Sequence, residues 1–321
     1  MTCTACTWYN NGENKTKRKK ITIATIYKRD IHVDFSETKE LMDLLKRHEF
    51  YTNKSLGQHF LISQKALAAI VSACIDDINS PILEVGPGIG VVTRALLESG
   101  ANVIAVELDR RAITILAETV GDFNTVKIIE NDILKINLND IFTESEKWVV
   151  VGNLPYYITT PVITKIITHY DKISRAVFMV QKEVAERMTA EPHNKMYGSL
   201  TVFCNLFAKV KTVAKVPKGA FMPPPNVDSA VVQLDLRDKP LLPSEDIPIF
   251  SKILRAAFQQ RRKQVVNCFI SNLSLTRTEA ENALNEANIP LTARAENMLI
   301  NDYVCLTNIM KKYITGDVND L

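Results

Sequence analysis

The residues best equipped for chemistry on an amine are Asn153-Leu154-Pro155-Tyr156, which follow the apolar run Trp148–Gly152. The exocyclic amine of a purine is a poor nucleophile because its lone pair is delocalised into the ring. Attack requires the nitrogen to move toward tetrahedral geometry, and acceptors on its two N–H groups favour that change. The Asn153 side-chain oxygen and the Leu154 backbone carbonyl are two such acceptors, and Pro155 stiffens the turn that aims them. Tyr156 can stack on an extracted base. The competing reading is an Asn-x-Pro turn with no chemical role.

A donor for such a transfer needs its own site. Glu84-Val85-Gly86-Pro87-Gly88-Ile89-Gly90 follows an apolar run and precedes a helical pattern. Gly86, Gly88 and Gly90 let backbone approach a ligand closely, and the helix start offers free N–H groups. A nicotinamide loop would need its third glycine at position 91, which is Val91. The form E-x-G-x-G-x-G resembles motif I of S-adenosylmethionine-dependent methyltransferases. Glu107 ends the next apolar run and can accept hydrogen bonds from ribose hydroxyls. Asp109 is close enough to compete, and spacing does not separate the two. Asp132 ends the third run, where a carboxylate can accept from an adenine amine or simply form a turn. Leu108 and Ile133, beside these carboxylates, belong to the same expected cofactor-binding set, as do Glu84 and Asn153.

What positions these groups is an alternation of apolar runs and helical periods. Strands are expected at 82–86, 103–108, 126–131, 148–152, 176–181 and 230–236. Helices are expected at 37–50, 66–75, 91–99, 111–120, 161–169 and 182–190. Near-continuous Val/Ile runs suit strands buried on both faces. The alternation predicts an α/β fold, a doubly wound, Rossmann-like sheet whose carboxyl edge binds ligands. After Asp238 a proline-containing stretch leads only into helical segments, at 250–258, 263–273, 277–288 and 301–313. Three regions follow: a basic flexible extension at 1–36, a methyltransferase domain at 37–239, and a helical RNA-binding domain at 240–321.

Composition narrows the class. The 321 residues are 46% hydrophobic, enough for a large core, and the net charge is only +3. Residues 1–36 hold seven basic side chains against Glu13, Asp30 and Asp34, a balance of +4, so the other 285 residues sum to −1. A nucleic-acid surface on the folded part must be a local patch. There is no run of eighteen apolar residues and no secretory h-region, so neither a membrane span nor a signal is expected. The six cysteines are scattered. Cys3 and Cys6 form a C-x-x-C pair without a second pair at zinc spacing, and no metal is expected. A reducing cytoplasm is the expected setting.

Asn-Leu-Pro-Tyr together with the glycine loop resembles the RNA adenine-N6 methyltransferases. Ser55-Leu56-Gly57-Gln58-His59-Phe60-Leu61 is similar to that family's N-terminal cofactor motif, with His59 where Asn is usual. The resemblance implies that Gln58 contacts the cofactor's amino-acid end, with His59 and Leu61 in the same set. Residues 181–188, 197–200 and 221–229 also look familial. Within the last, Phe221 resembles the aromatic that sandwiches the target base against Tyr156. Phe258-Gln259-Gln260-Arg261-Arg262-Lys263 resembles the family's F-x-x-R-R-K segment, which with Arg255 implies phosphate contacts. A solvated helix face is the bland alternative, and Lys209, Lys211, Lys215 and Lys218 form a weaker patch.

The resemblance spans about residues 37–315. It implies a monomeric enzyme that uses S-adenosylmethionine to dimethylate two adjacent adenines in the 3′-terminal hairpin of small-subunit rRNA, on the precursor of the 30S subunit. The rival readings are a large-subunit methyltransferase and a non-catalytic RNA-binding factor.

Overall fold

The computed structural model describes residues 38–51, 58–75, 80–143 and 146–314. The extension at 1–36, with Cys3, Cys6 and the lysine run, lies outside the described residues, as do Ser55, Leu56 and Gly57. In chain order the elements are α1 (Thr38–Arg47), β1 (Phe60–Leu61), α2 (Gln64–Cys74), β2 (Ile82–Val85), α3 (Val91–Glu98), β3 (Val103–Glu107), α4 (Arg110–Thr119) and β4 (Val126–Glu130). They continue with β5 (Trp148–Asn153), α5 (Thr159–Ile167), β6 (Ile173–Gln181), α6 (Lys182–Met188), α7 (Ser199–Phe207), β7 (Ala208–Val216), β8 (Phe221–Met222) and β9 (Ser229–Leu236). The helices α8 (Ile247–Phe258), α9 (Val265–Asn272), α10 (Arg277–Glu286) and α11 (Ile300–Met310) close the chain.

Seven strands form one sheet in the order β4-β3-β2-β5-β6-β9-β7. The first five run parallel, while β9 is antiparallel to both β6 and β7. From β2 the chain moves outward to β3 and β4, then returns to place β5 on the other side of β2. That reversal opens a crevice at the carboxyl ends of β2 and β5, the usual ligand position in such sheets.

Period-two alternation divides each central strand between two apolar layers. In β5, Val149 and Val151 join the layer holding α2, α3 and α4, while Val150 joins the layer holding α5 and α7. Each fully buried Val, Ile or Leu contributes roughly 1.5–3 kcal/mol relative to exposure. The second layer continues into α8–α11, where Phe250, Phe269 and Tyr303 are fully buried.

One strand of this sheet was not legible as such. The stretch 208–216 reads as a lysine patch but forms β7, the sheet edge. Lysines on an edge strand discourage pairing with other chains. The register shifts between Thr212 and Ala214, so Lys209 and Lys211 point to one side of the sheet and Lys215 to the other. The four lysines therefore do not form one face.

Candidate active site

The register pairs Val85 with Gly152, so the glycine loop after β2 and the Asn-Leu-Pro-Tyr segment after β5 emerge side by side. A Cβ on Gly152 would lie 2.9 Å from the Val85 carbonyl oxygen, and the bare glycine permits that approach. In the loop, Gly86, Gly88 and Gly90 all have positive φ. Gly90 caps α3 at φ 95°, and a Cβ there would meet the Thr119 hydroxyl at 2.7 Å. Gly90 thus shapes the loop from behind, while Glu84, Gly86 and Gly88 line a cavity with Gln58, His59 and Leu61.

Glu107 binds the loop directly. Its Oε2 accepts from the Gly88 N–H at 2.9 Å, and its Oε1 accepts from the N–H groups of Leu108 and Asp109 at 2.7 and 2.8 Å. Burial holds the Glu107 carboxyl above the usual carboxylate range, against those three donors. Asp109 is differently engaged. It caps α4 through Arg111, and it accepts from the Gln58 amide at 2.8 Å. Burial would raise its carboxyl, but the bonds from Arg111 and Gln58 outweigh that and hold it low. Both carboxylates and Leu108 reach the cavity wall. Only Glu107 also fixes the glycine loop.

Glu84 is 2% exposed, and its Oε2 has no hydrogen-bond partner among the described residues. Burial pushes its carboxyl up to about 8; the neighbouring Thr93 hydroxyl opposes the shift and the Glu107 charge adds to it. A buried carboxyl with a free acceptor, on a cavity wall that also carries a ribose-type acceptor and apolar side chains, fits the ammonium, ribose and adenine of S-adenosylmethionine. Asp132 and Ile133 complete this wall. Asp132 also accepts from the Leu134 N–H at 2.9 Å, so the turn role and the wall role coincide.

Asn153 lies on the wall, with its Nδ2 donating to the His59 carbonyl at 3.2 Å. One N–H of the amide is thus engaged and orients the group, leaving its oxygen available to accept from a ligand. The Leu154 side chain is buried, and its N–H donates to the Met179 carbonyl, anchoring the turn on β6. Pro155 lines the cavity. The Tyr156 hydroxyl is 3.2 Å from the Ser229 hydroxyl, and its ring stacks near the His59 ring, 6.2 Å between centroids.

Phe221 differs from the expected open clamp. It lies in β8, paired with Leu61 of β1, and is 4% exposed within the α2-side apolar layer. Its ring offers no free face here, because the two-stranded β1–β8 sheet folds it inward. Tyr157, not singled out for the site, stands on the wall and is 60% exposed. An exposed aromatic next to a motif tyrosine carries no sign in sequence of which one faces the cavity. Ser229 closes the familial stretch 221–229, but nothing in that stretch marked it as a partner of the Tyr156 hydroxyl.

The basic segment resolves into two kinds of residue. Arg261 donates to the carbonyls of Lys195 and Tyr197, the latter at 3.2 Å, and approaches Glu296 at 3.8 Å. It ties the α8–α9 loop to the chain before α7, a role unlike the expected phosphate contact. Arg262 and Lys263 are exposed in that loop. Arg255 lies in α8 beside a groove that also includes Lys252, Gln259 and Asn272.

A parallel sheet reversed at β2–β5, with a glycine loop and an amide-bearing turn at the reversal, defines the Rossmann-like methyltransferase class. Within it, this chain belongs to the ribosomal RNA adenine dimethylase family, whose profile matches residues 49–312. It is 38% identical over 287 residues to "Ribosomal RNA small subunit methyltransferase A" of Geobacillus thermodenitrificans (strain NG80-2), covering 87% of this chain and 98% of that protein. Among solved structures, a dimethyladenosine transferase from Plasmodium falciparum superposes with a TM-score of 0.65 at 28% identity, covering 79% of this chain and 98% of that one. The 23S rRNA methyltransferase ErmE gives a TM-score of 0.61 at 25% identity, covering 78% and 99%.

Proposed function

We propose that this protein transfers methyl groups from S-adenosylmethionine to the N6 atoms of two adjacent adenines in the 3′-terminal hairpin of small-subunit rRNA, during subunit assembly in the cytoplasm. The observation that carries the reading is the pairing of β2 with β5, which sets the Asn153 amide beside the glycine loop with its nitrogen already bonded to His59. The bound cofactor supplies a methyl group activated by its positive sulfur.

The chain's own residues do the rest. Glu84, Glu107 and Asp132 hold the cofactor's polar groups, and Gln58, Leu61, Leu108 and Ile133 line its bed. The Asn153 oxygen and the Leu154 carbonyl accept from the adenine amine, which favours the rehybridised nitrogen. Tyr156 supports the extracted base, and Pro155 holds the turn in line with the donor. Arg262, Lys263 and Arg255 engage RNA phosphates from the helical region at 240–321.

The experiment is to label purified small subunits lacking adenine methylation with radioactive cofactor and map the modified nucleotides. Two adjacent dimethylated adenines near the 3′ end are expected. Label at other nucleotides of the small-subunit RNA, or none at all, overturns the reading.

A further inference from the structure

The loop after β4 and the turn after β5 both reach the cavity wall, yet β3 and β2 lie between their strands. No ladder bond therefore fixes one to the other. A side chain of α5 spans the distance. The Lys165 Nζ donates to the Leu134 carbonyl at 3.0 Å and to the Ile136 carbonyl at 2.6 Å. At its other end α5 is bonded to the turn, where the Ile158 N–H and the Thr159 hydroxyl both donate to the Pro155 carbonyl at 3.1 Å.

The loop that Lys165 grips is folded around Asp132. The N–H groups of Lys135 and Ile136 donate to the Asp132 carbonyl at 2.9 Å, and that of Leu134 donates to its carboxylate at 2.9 Å. Partial burial lowers the Lys165 ammonium from its usual value, and the Asp132 charge opposes that fall.

We infer that Lys165 is a positioning residue, a strut from α5 to the loop after β4 that sets Asp132 and Ile133 in register with the Asn-Leu-Pro-Tyr turn. An ammonium carries three donors, and charge-assisted bonds to two carbonyls of one short loop hold its backbone in place. Lys165 acts on the cavity through the loop it holds, so its loss loosens the adenine side of the cofactor bed. The inference rests on the proposed function for the ligand that Asp132 meets, though not for the strut itself.

Two measurements on the full-length protein separate these. The first is hydrogen exchange of the cofactor-free protein by mass spectrometry, following the amides of residues 133–137 with those of β5 as internal reference. Lys165→Met keeps an apolar stem and removes the donors. It is expected to speed exchange at 133–137 roughly tenfold or more relative to β5, and Lys165→Arg, which keeps donors, to stay nearer the parent. Unchanged exchange in Lys165→Met, or equal acceleration in β5, overturns the strut.

The second measurement is the dissociation constant of S-adenosylhomocysteine beside that of its inosine counterpart, in which a carbonyl replaces the adenine amine. An acceptor held against the amine makes the parent prefer the adenine form. Lys165→Met is expected to weaken S-adenosylhomocysteine roughly tenfold and to shrink that preference by about threefold or more, because a misplaced acceptor reads the amine poorly. Lys165→Arg is expected to regain part of both. Equal weakening of the two ligands overturns the positioning of Asp132. A parent that binds neither ligand sinks the cofactor reading, while the exchange result still decides the strut.

Discussion

The Gly88 N–H donates to Glu107 Oε2 at 2.9 Å, so the carboxylate at the tip of β3 also holds the glycine loop at the tip of β2. Two strands thus share one rigid edge of the cavity. Replacing Glu107→Ala removes a ribose acceptor and loosens the loop together. Cofactor affinity is expected to fall roughly ten- to a hundredfold, the loss of one or two hydrogen bonds to a charged group. Isothermal calorimetry measures it, and an unchanged dissociation constant removes Glu107 from the site.

The role proposed for Asn153 lies in the transition state. Its nitrogen is held by the His59 carbonyl, so truncation removes an acceptor already aimed. Asn153→Ala is expected to slow methylation roughly a hundredfold or more while cofactor affinity stays near the parent's. Equal turnover in parent and variant would falsify the role.

Glu84 makes stability depend on pH. Burial pushes its carboxyl up to about 8 in the fold from about 4.5 in an unfolded chain, so between those values the folded state holds a proton that the unfolded state has released. Stability from this group is therefore fully present below about 4.5 and lost as pH rises through about 8. At ~1.4 kcal/mol per unit, the window spans on the order of 5 kcal/mol. Glu84→Gln should flatten the fall in Tm of the cofactor-free protein across this window. A parallel pH profile in the two proteins contradicts the assignment.

Gly90 takes φ 95° with the Thr119 hydroxyl 2.7 Å from where a Cβ would sit. Gly90→Ala therefore meets backbone strain and a clash in a packed turn. A loss of roughly 1–3 kcal/mol is expected, read as a lower urea midpoint. An unchanged midpoint means the turn relaxes at no cost.

Arg262 and Lys263 are exposed, whereas Arg261 is engaged by Lys195, Tyr197 and Glu296. Replacing Arg262 and Lys263 with Ala should weaken RNA binding and reduce the salt slope by roughly 0.7–0.9 per lost phosphate contact. Arg261→Ala should instead lower Tm more than either. Salt titrations of RNA affinity separate the cases, and an unaltered slope in the double variant moves the RNA surface elsewhere.

Much of the fold was legible because buried parallel strands are near-continuous apolar runs. Ile82–Val85, Val103–Glu107 and Trp148–Asn153 emerge within one residue of their expected ends. β7 was not legible: its lysines sit on an edge, where one side of the backbone meets water and the apolar signal is broken. Helix α7 was passed over too, because its apolar residues are buried nearly all round and leave little amphipathic contrast.

The order of glycines, carboxylates and the Asn-Leu-Pro-Tyr turn is written in the chain, since each depends on local residue type at a strand end. By itself the sequence determined the parallel strands and the order of the loops at their carboxyl ends. Only tertiary structure showed that Glu107 holds the glycine loop while Asp109 caps α4, because both lie at the same strand end and differ in which partners reach them from residues 58, 88 and 111. It likewise turned Phe221 inward, engaged Arg261 and set His59 against Tyr156. These outcomes join residues up to about 160 positions apart, and no local pattern encodes a contact made by two distant segments.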